Sequence, residues 1–180
     1  MSKVLIITSS LRFNSNSDLI VAKVAEGARD AGHDVEVISL KGKEIKFCIG
    51  CLACQKTKQC VLKDDVNEIR EKVRVADTLV FATPIYYYEM SGQLKTFLDR
   101  MNPLYASDYK YRNVYMVSTA TDDDPHTPEK AVNGLQGWVD CFEGVKLVDS
   151  LFLGGNSDPN EVSKKPDHLT KAYNFGKKIK

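Results

Sequence analysis

Apolar and polar positions along this chain alternate between two periods from one end to the other. Val4-Leu5-Ile6-Ile7 is a short apolar run, too brief for a helix, and it stops at Thr8-Ser9-Ser10. Leu19, Ile20, Ala22, Val24 and Ala25 then recur at helical spacing, so a helix should open near Asp18 and end at Gly32. Asp34 to Ser39 alternates like a second strand, and Asp64 and Asp65 are placed to cap a helix from about Val66 to Ala76. Thr78 to Thr83 is continuously apolar apart from its hydroxyl ends, as in a strand covered on both faces. Ser91 to Met101 reads as a helix with Leu94, Phe97, Leu98 and Met101 on one side. A strand from Asn113 to Ser118, a helix from about Pro128 to Cys141, a strand from Val145 to Leu153 and a helix from about Asp167 complete the series.

Five strands separated by helices predict an α/β fold. Right-handed crossovers lay helices on both faces of a doubly wound parallel sheet, and the element count fits the flavodoxin-like order 2-1-3-4-5. Ligands of such sheets bind beyond the carboxyl ends of the strands, where the strand order reverses. That rule selects three loops: Thr8 to Asp18, Thr83 to Gly92 and Ser118 to Thr127. There is no internal repeat, low-complexity tract or linker, so residues 1–180 are expected to form a single domain.

The first loop is a cradle for an anion. Helix-start amides, the positive end of the helix dipole and the side chains of Ser9, Ser10, Asn16 and Ser17 converge, and Arg12 adds the one full positive charge. The same residue types also serve as ordinary turn and cap formers, a reading of equal weight for this loop alone. With neither the lysine of a P-loop nor the G-x-G-x-x-G of a dinucleotide fold, the loop suits a terminal monophosphate, and FMN is the mononucleotide such sheets commonly hold. The second loop, Thr83 to Gly92, carries three consecutive tyrosines after a buried strand, a wall for a flat ring system stiffened by Pro84. Packing or a subunit contact explains Tyr87 and Tyr88 equally well.

Twenty-five basic and 24 acidic residues leave a formal charge of +1 without a basic stripe, which argues against nucleic acid as a partner. The chain enters its first strand directly after Met1-Ser2-Lys3, and no apolar run approaches the roughly 18 residues of a membrane span. The expectation is a cytoplasmic protein without a membrane partner. The acidic loop from Asp122 to Asp124 faces a helix start, and His126 reads as solvated rather than as a substrate contact.

Thr83-Pro84-Ile85-Tyr86-Tyr87, followed by Ser91-Gly92-Gln93-Leu94-Lys95-Thr96-Phe97-Leu98-Asp99-Arg100, resembles the flavin-contacting segment of the flavodoxin-like NAD(P)H-dependent FMN reductases. Ser9 to Ser17 resembles that family's phosphate loop, G-S-P-R-x-x-G-N-T, and the likeness runs to Gly154-Gly155-Asn156-Ser157-Asp158-Pro159. The resemblance implies that Ser10, Arg12, Asn16 and Ser17 hold the FMN phosphate. It places Pro84, Ile85, Tyr86 and Tyr87 along the ring and ribityl chain, and Thr119, Ala120 and Thr121 on the third side. Ser9, Leu11 and Ser15 replace the pattern's first glycine, proline and second glycine; Ser9 matters most if that position needs a positive φ. The implied activity passes electrons from NAD(P)H through FMN to a small acceptor: a quinone, a nitro or azo compound, or free flavin. FMN supplies the hydride chemistry, so no side chain is assigned a catalytic role. The resemblance also implies a homodimer or higher homo-oligomer, with Tyr105, Tyr109 and Tyr111 as contacts or as cover for the sheet edge.

Cys48, Cys51, Cys54 and Cys60 form a C-x2-C-x2-C-x5-C run, while Cys141 stands apart on a helix beside Leu135, Trp138, Val139 and Phe142 and reads as a core residue. The run resembles the [4Fe–4S] motif of iron–sulfur flavoproteins, a branch of the same family that relays electrons through a cluster beside FMN. Plain flavin reductases carry a similar segment followed by two aspartates, here Asp64-Asp65. Three fates compete for these thiols: a cluster, tetrahedral zinc, and free thiols that shape the loop. Free thiols are the favoured reading and zinc the least favoured.

Overall fold

The structure is a computed structural model that describes residues 1–105 and 107–180. Its elements run β1 (Lys3–Thr8), α1 (Asn16–Asp30), β2 (Asp34–Ser39), α2 (Ala53–Thr57), α3 (Val66–Val75), β3 (Thr78–Tyr86) and β4 (Glu89–Met90). There follow α4 (Gly92–Asp99), α5 (Asn102–Tyr105), β5 (Asn113–Thr119), α6 (Glu129–Val139), β6 (Lys146–Leu153), a 3-10 turn (Glu161–Lys164) and α7 (Pro166–Lys177). Five strands pair in parallel in the order β2-β1-β3-β5-β6, which is 2-1-3-4-5 when the parallel strands alone are counted.

Because side chains alternate across a strand, the inner strands serve two cores at once. Leu5, Ile7, Leu79, Phe81, Val114 and Met116 point to one face, where α3, α4 and α6 cover them. Val4, Ile6, Val80, Ala82, Tyr115 and Val117 point to the other, under α1 and α7. On that side the two helices meet backbone to backbone. A Cβ on Gly27 would stand 2.0 Å from the Tyr173 carbonyl oxygen, and one on Gly176 would stand 2.0 Å from that of Val24, so only glycine allows the approach. Among the described residues, no helix is long and apolar enough to cross a membrane.

Three expectations change. The third strand does not end at Thr83 but runs on through Pro84, Ile85 and Tyr86, then folds back as β4, with Tyr86 paired to Glu89. Tyr111 is no subunit contact: it is fully buried, and its ring stacks 4.9 Å from that of Tyr109 beside Trp138 and Phe142. Cys141 is no core residue, because α6 ends at Val139 and the turn that follows leaves the thiol exposed, bonded to the Gly137 carbonyl.

Candidate functional site

At the carboxyl ends of β1, β3 and β5, three loops enclose an open cleft of about 470 Å³. Ser10, Arg12, Asn16 and Ser17 line it from the first loop, Pro84, Ile85 and Tyr86 from the second, and Thr119, Ala120 and Thr121 from the third. Of the residues that the resemblance assigned to the cofactor, Tyr87 alone stands outside. It is 99% exposed at the tip of the β3–β4 hairpin, where a two-residue turn leaves no room to face inward. Tyr87 and Tyr88 both take positive φ, 51° and 66°, the geometry of a type I′ turn that asparagine and glycine adopt more readily. Each such non-glycine residue costs about 1–2 kcal/mol of backbone strain.

The turn is held by side chains behind it. Ser91 caps α4 and donates its backbone N–H to the Thr83 hydroxyl at 2.9 Å, and its own hydroxyl meets that of Ser9 at 2.9 Å. Ser9 also donates to the Ala82 carbonyl and does not adopt a positive φ, so a serine fits where the family pattern has glycine. Its hydroxyl is therefore committed to the scaffold and does not face a ligand. The positive φ of this loop falls on Asn14 instead, at 51°.

Helix α1 begins at Asn16, two residues before the sequence estimate, because Ser15 is the cap that accepts from the Asp18 amide. Asn16 and Ser17 therefore occupy the first turn, where backbone N–H groups have no intrahelical acceptor and the dipole favours an anion. The Asn16 side chain is engaged elsewhere: its amide donates to the Asp158 carbonyl at 2.8 Å, and its oxygen accepts from the Val162 amide at 3.0 Å. It ties the first loop to residues 157–162, and what it offers the cleft is its main chain. Arg12 donates to the Ser157 carbonyl at 2.5 Å from the same direction.

The sequence reading missed Ser15, Asn156 and Ser157, which also line the cleft. Asn156 donates to Thr119 Oγ1, the Leu153 carbonyl and the Gly154 carbonyl, and its backbone bonds the Ala120 carbonyl at 2.8 Å. A Cβ on Gly154 would lie 2.5 Å from the Asp122 carbonyl oxygen, so the loop after the last strand presses against the loop after β5. The Gly154-Gly155-Asn156 sequence was the available signal.

A second, narrow cavity lies at the segment between β2 and α3, and Cys48, Cys51, Cys54 and Cys60 all line it. Cys48 and Cys51 are exposed, Cys60 is half-buried and Cys54 is buried with its sulfur accepting from Asn102 Nδ2 at 3.1 Å. Arg100, which also lines this cavity, is fully buried and forms a bidentate ion pair with Asp64 at 2.5 and 3.0 Å; neither side chain has accessible surface. The same guanidinium donates to the Lys46 carbonyl at 2.8 Å, which anchors the chain two residues before Cys48. Burial pushes the Asp64 carboxyl up, but the Arg100 hydrogen bonds and the Lys46 amide outweigh it and hold its pKa below the usual carboxylate range. Asp64 still reaches the Val66 amide at 3.2 Å, so the expected helix cap exists, though it is secondary to the ion pair.

Among the described residues no three metal-ligating side chains are gathered about one point. Four cysteines around one cavity are the donor set that a four-iron cluster takes, with one thiolate per iron.

An open parallel sheet with a polar cleft at its switch point places the chain among the doubly wound α/β proteins that take a ligand there. It belongs to the NADPH-dependent FMN reductase family, whose family model matches residues 2–147, and it is thus a flavoprotein oxidoreductase of flavodoxin-like fold. It is 30% identical to an iron–sulfur flavoprotein of Methanocaldococcus jannaschii, with 98% of this chain and 95% of that protein covered. An iron–sulfur flavoprotein of Archaeoglobus fulgidus is 34% identical, with 99% of this chain and 79% of that protein covered. Among solved structures, an NAD(P)H:quinone oxidoreductase from Methanothermobacter marburgensis superimposes with a TM-score of 0.76 over 98% of this chain and 94% of that one. At 21% identity that likeness is one of fold.

Proposed function

We propose that residues 1–180 form one FMN-binding unit that holds the flavin phosphate at Ser10, Arg12, Ser17 and the first-turn amides of α1, with Asn16 fastening the loop. Pro84, Ile85 and Tyr86 line one side of the flavin, Thr119, Ala120 and Thr121 the other. The observation that carries the reading is the meeting in one cleft of ten residues that the resemblance assigned from three loops far apart in sequence. FMN accepts a hydride and gives up electrons together or singly, so bound there it would link NAD(P)H to a small acceptor such as a quinone, a nitro or azo compound, or flavin. This chain's residues contribute binding, orientation and an open face. No side chain in the cleft is needed as acid or base. Titrating apoprotein with FMN tests the reading: wild type binds, and the Ser10→Ala, Arg12→Ala double variant binds far more weakly while remaining folded.

A second reading adds a [4Fe–4S] cluster on Cys48, Cys51, Cys54 and Cys60, making the chain an electron carrier as well. It is favoured by the shared cysteine cavity with its amide and guanidinium donors, and by the names of the relatives similar over nearly the whole chain. Such a cluster exchanges single electrons. The reading displaces free thiols as the favoured fate of these residues. Protein purified without oxygen should then be brown and contain iron; yellow, iron-free protein restores the simpler reading.

A further inference from the structure

The cysteine cavity contains two polar groups that the ligand set does not require. Asn102, half-buried at the start of α5, aims its amide nitrogen at Cys54, the most buried of the four sulfurs. Arg100 closes the cavity floor two residues earlier, and although its terminal nitrogens are engaged with Asp64 and Lys46, its Nε is buried with no partner in the protein. A buried guanidinium N–H without an acceptor is costly, and it stands in the wall of a cavity lined with sulfur. The salt bridge with Asp64 cancels the net charge of the pair and leaves Nε–H without an acceptor in the protein.

We infer that Asn102 and Arg100 are positioning residues that set the reduction potential of the thiolate site, Asn102 by donating to Cys54 and Arg100 by presenting its free N–H to the cavity. The inference rests on the cluster reading above. Adding one electron to a four-thiolate cluster adds one negative charge, shared with the sulfurs. Hydrogen-bond donors to those sulfurs therefore stabilise the reduced form more than the oxidised form and raise the potential. With Cys54 supplied with a donor and Cys48 and Cys51 facing solvent, the charge should settle toward the inner side of the cavity.

The test uses the full chain loaded with FMN and reconstituted anaerobically with iron and sulfide, and it reads the midpoint potential of the cluster by spectroscopic titration beside the iron content. Asn102→Ala should retain iron and FMN while its one-electron reduction equilibrium falls about tenfold, roughly 59 mV to the negative side. Asn102→Asp, which places a carboxylate against the sulfur, should fall further. Arg100→Lys keeps the charge and should shift the potential less than Arg100→Gln. Either Arg100 variant can fail to fold because it disturbs a buried ion pair, so the two Asn102 variants, which remove no buried charge, decide the matter. Loaded Asn102 variants with the wild-type potential overturn this inference alone, as does Asn102→Ala protein that binds FMN but no iron. Wild-type protein that takes up no iron overturns the cluster reading and this inference with it.

Discussion

The polar cleft and the cysteine cavity are held in opposite ways. The cleft is framed by the ends of three paired strands and the first turn of a long helix, with Ser9, Thr83, Ser91, Asn16 and Asn156 linking one loop to the next through neutral hydrogen bonds. The cysteine cavity is mostly irregular chain: between Ser39 and Val66 the one helix is five residues long. A single buried ion pair, Arg100 with Asp64, together with the Lys46 carbonyl, fastens that segment to α4. Many weak ties make the first site tolerant of single losses, whereas the second depends on one strong tie.

That contrast predicts its own largest effect. Asp64→Ala leaves the Arg100 guanidinium buried and unpaired, and the variant should lose about 3–5 kcal/mol of stability. Chemical denaturation measures the loss, and iron uptake should fall much further than FMN affinity. Equal losses at both sites would show that they are one cooperative unit.

Next in size, Ser10→Ala with Arg12→Ala removes a charged donor and a hydroxyl from the proposed phosphate position. FMN affinity should weaken by about 2–3 kcal/mol, more than tenfold, read by fluorescence quenching. The thermal midpoint of the apoprotein should hold, because Arg12 is exposed and bonds only the Ser157 carbonyl.

The hairpin tip separates strain from contact. Replacing Tyr87-Tyr88 by Asn-Gly suits the type I′ turn and should raise stability by about 1–2 kcal/mol in a denaturant midpoint assay. Since Tyr87 lies outside the cleft, FMN affinity should not fall; a loss beyond tenfold would place these rings over the flavin.

The smallest effect is a pH dependence. The folded-state pKa of Asp64 lies below its unfolded value of about 3.9, so the native state binds fewer protons between the two. The ion pair's stabilisation is therefore present above the unfolded value and lost as pH falls through the folded one. Wild type should lose stability on acidification below about pH 4 more steeply than Asp64→Asn, as followed by urea midpoints across that range.

The sheet, its order and nearly all of the cleft were legible because they rest on local signals: Ile6 and Ile7 in an unbroken apolar run, Ser and Asn at a helix start, Pro84 after a buried strand. The rest depends on contacts distant in sequence. Nothing near Asp64 reveals that its partner is Arg100, 36 residues away, and its position before a helix argued for a cap. Tyr87 was assigned inward from its neighbours, but a two-residue turn reverses direction so tightly that the tip must face solvent. Cys141 followed the apolar residues around it, but the helix stops at Val139 and the turn after it leaves the thiol in solvent. Asn156 was hidden because its value lies in bridging Thr119 and Ala120, which only the folded sheet brings near.

Cofactor content of wild-type protein, purified and reconstituted without oxygen, tests the two-site account most directly. The account predicts about one FMN and about four iron atoms per chain, with a flavin spectrum over a broad brown background. A chain that remains colourless, or that turns yellow yet holds no iron, contradicts it.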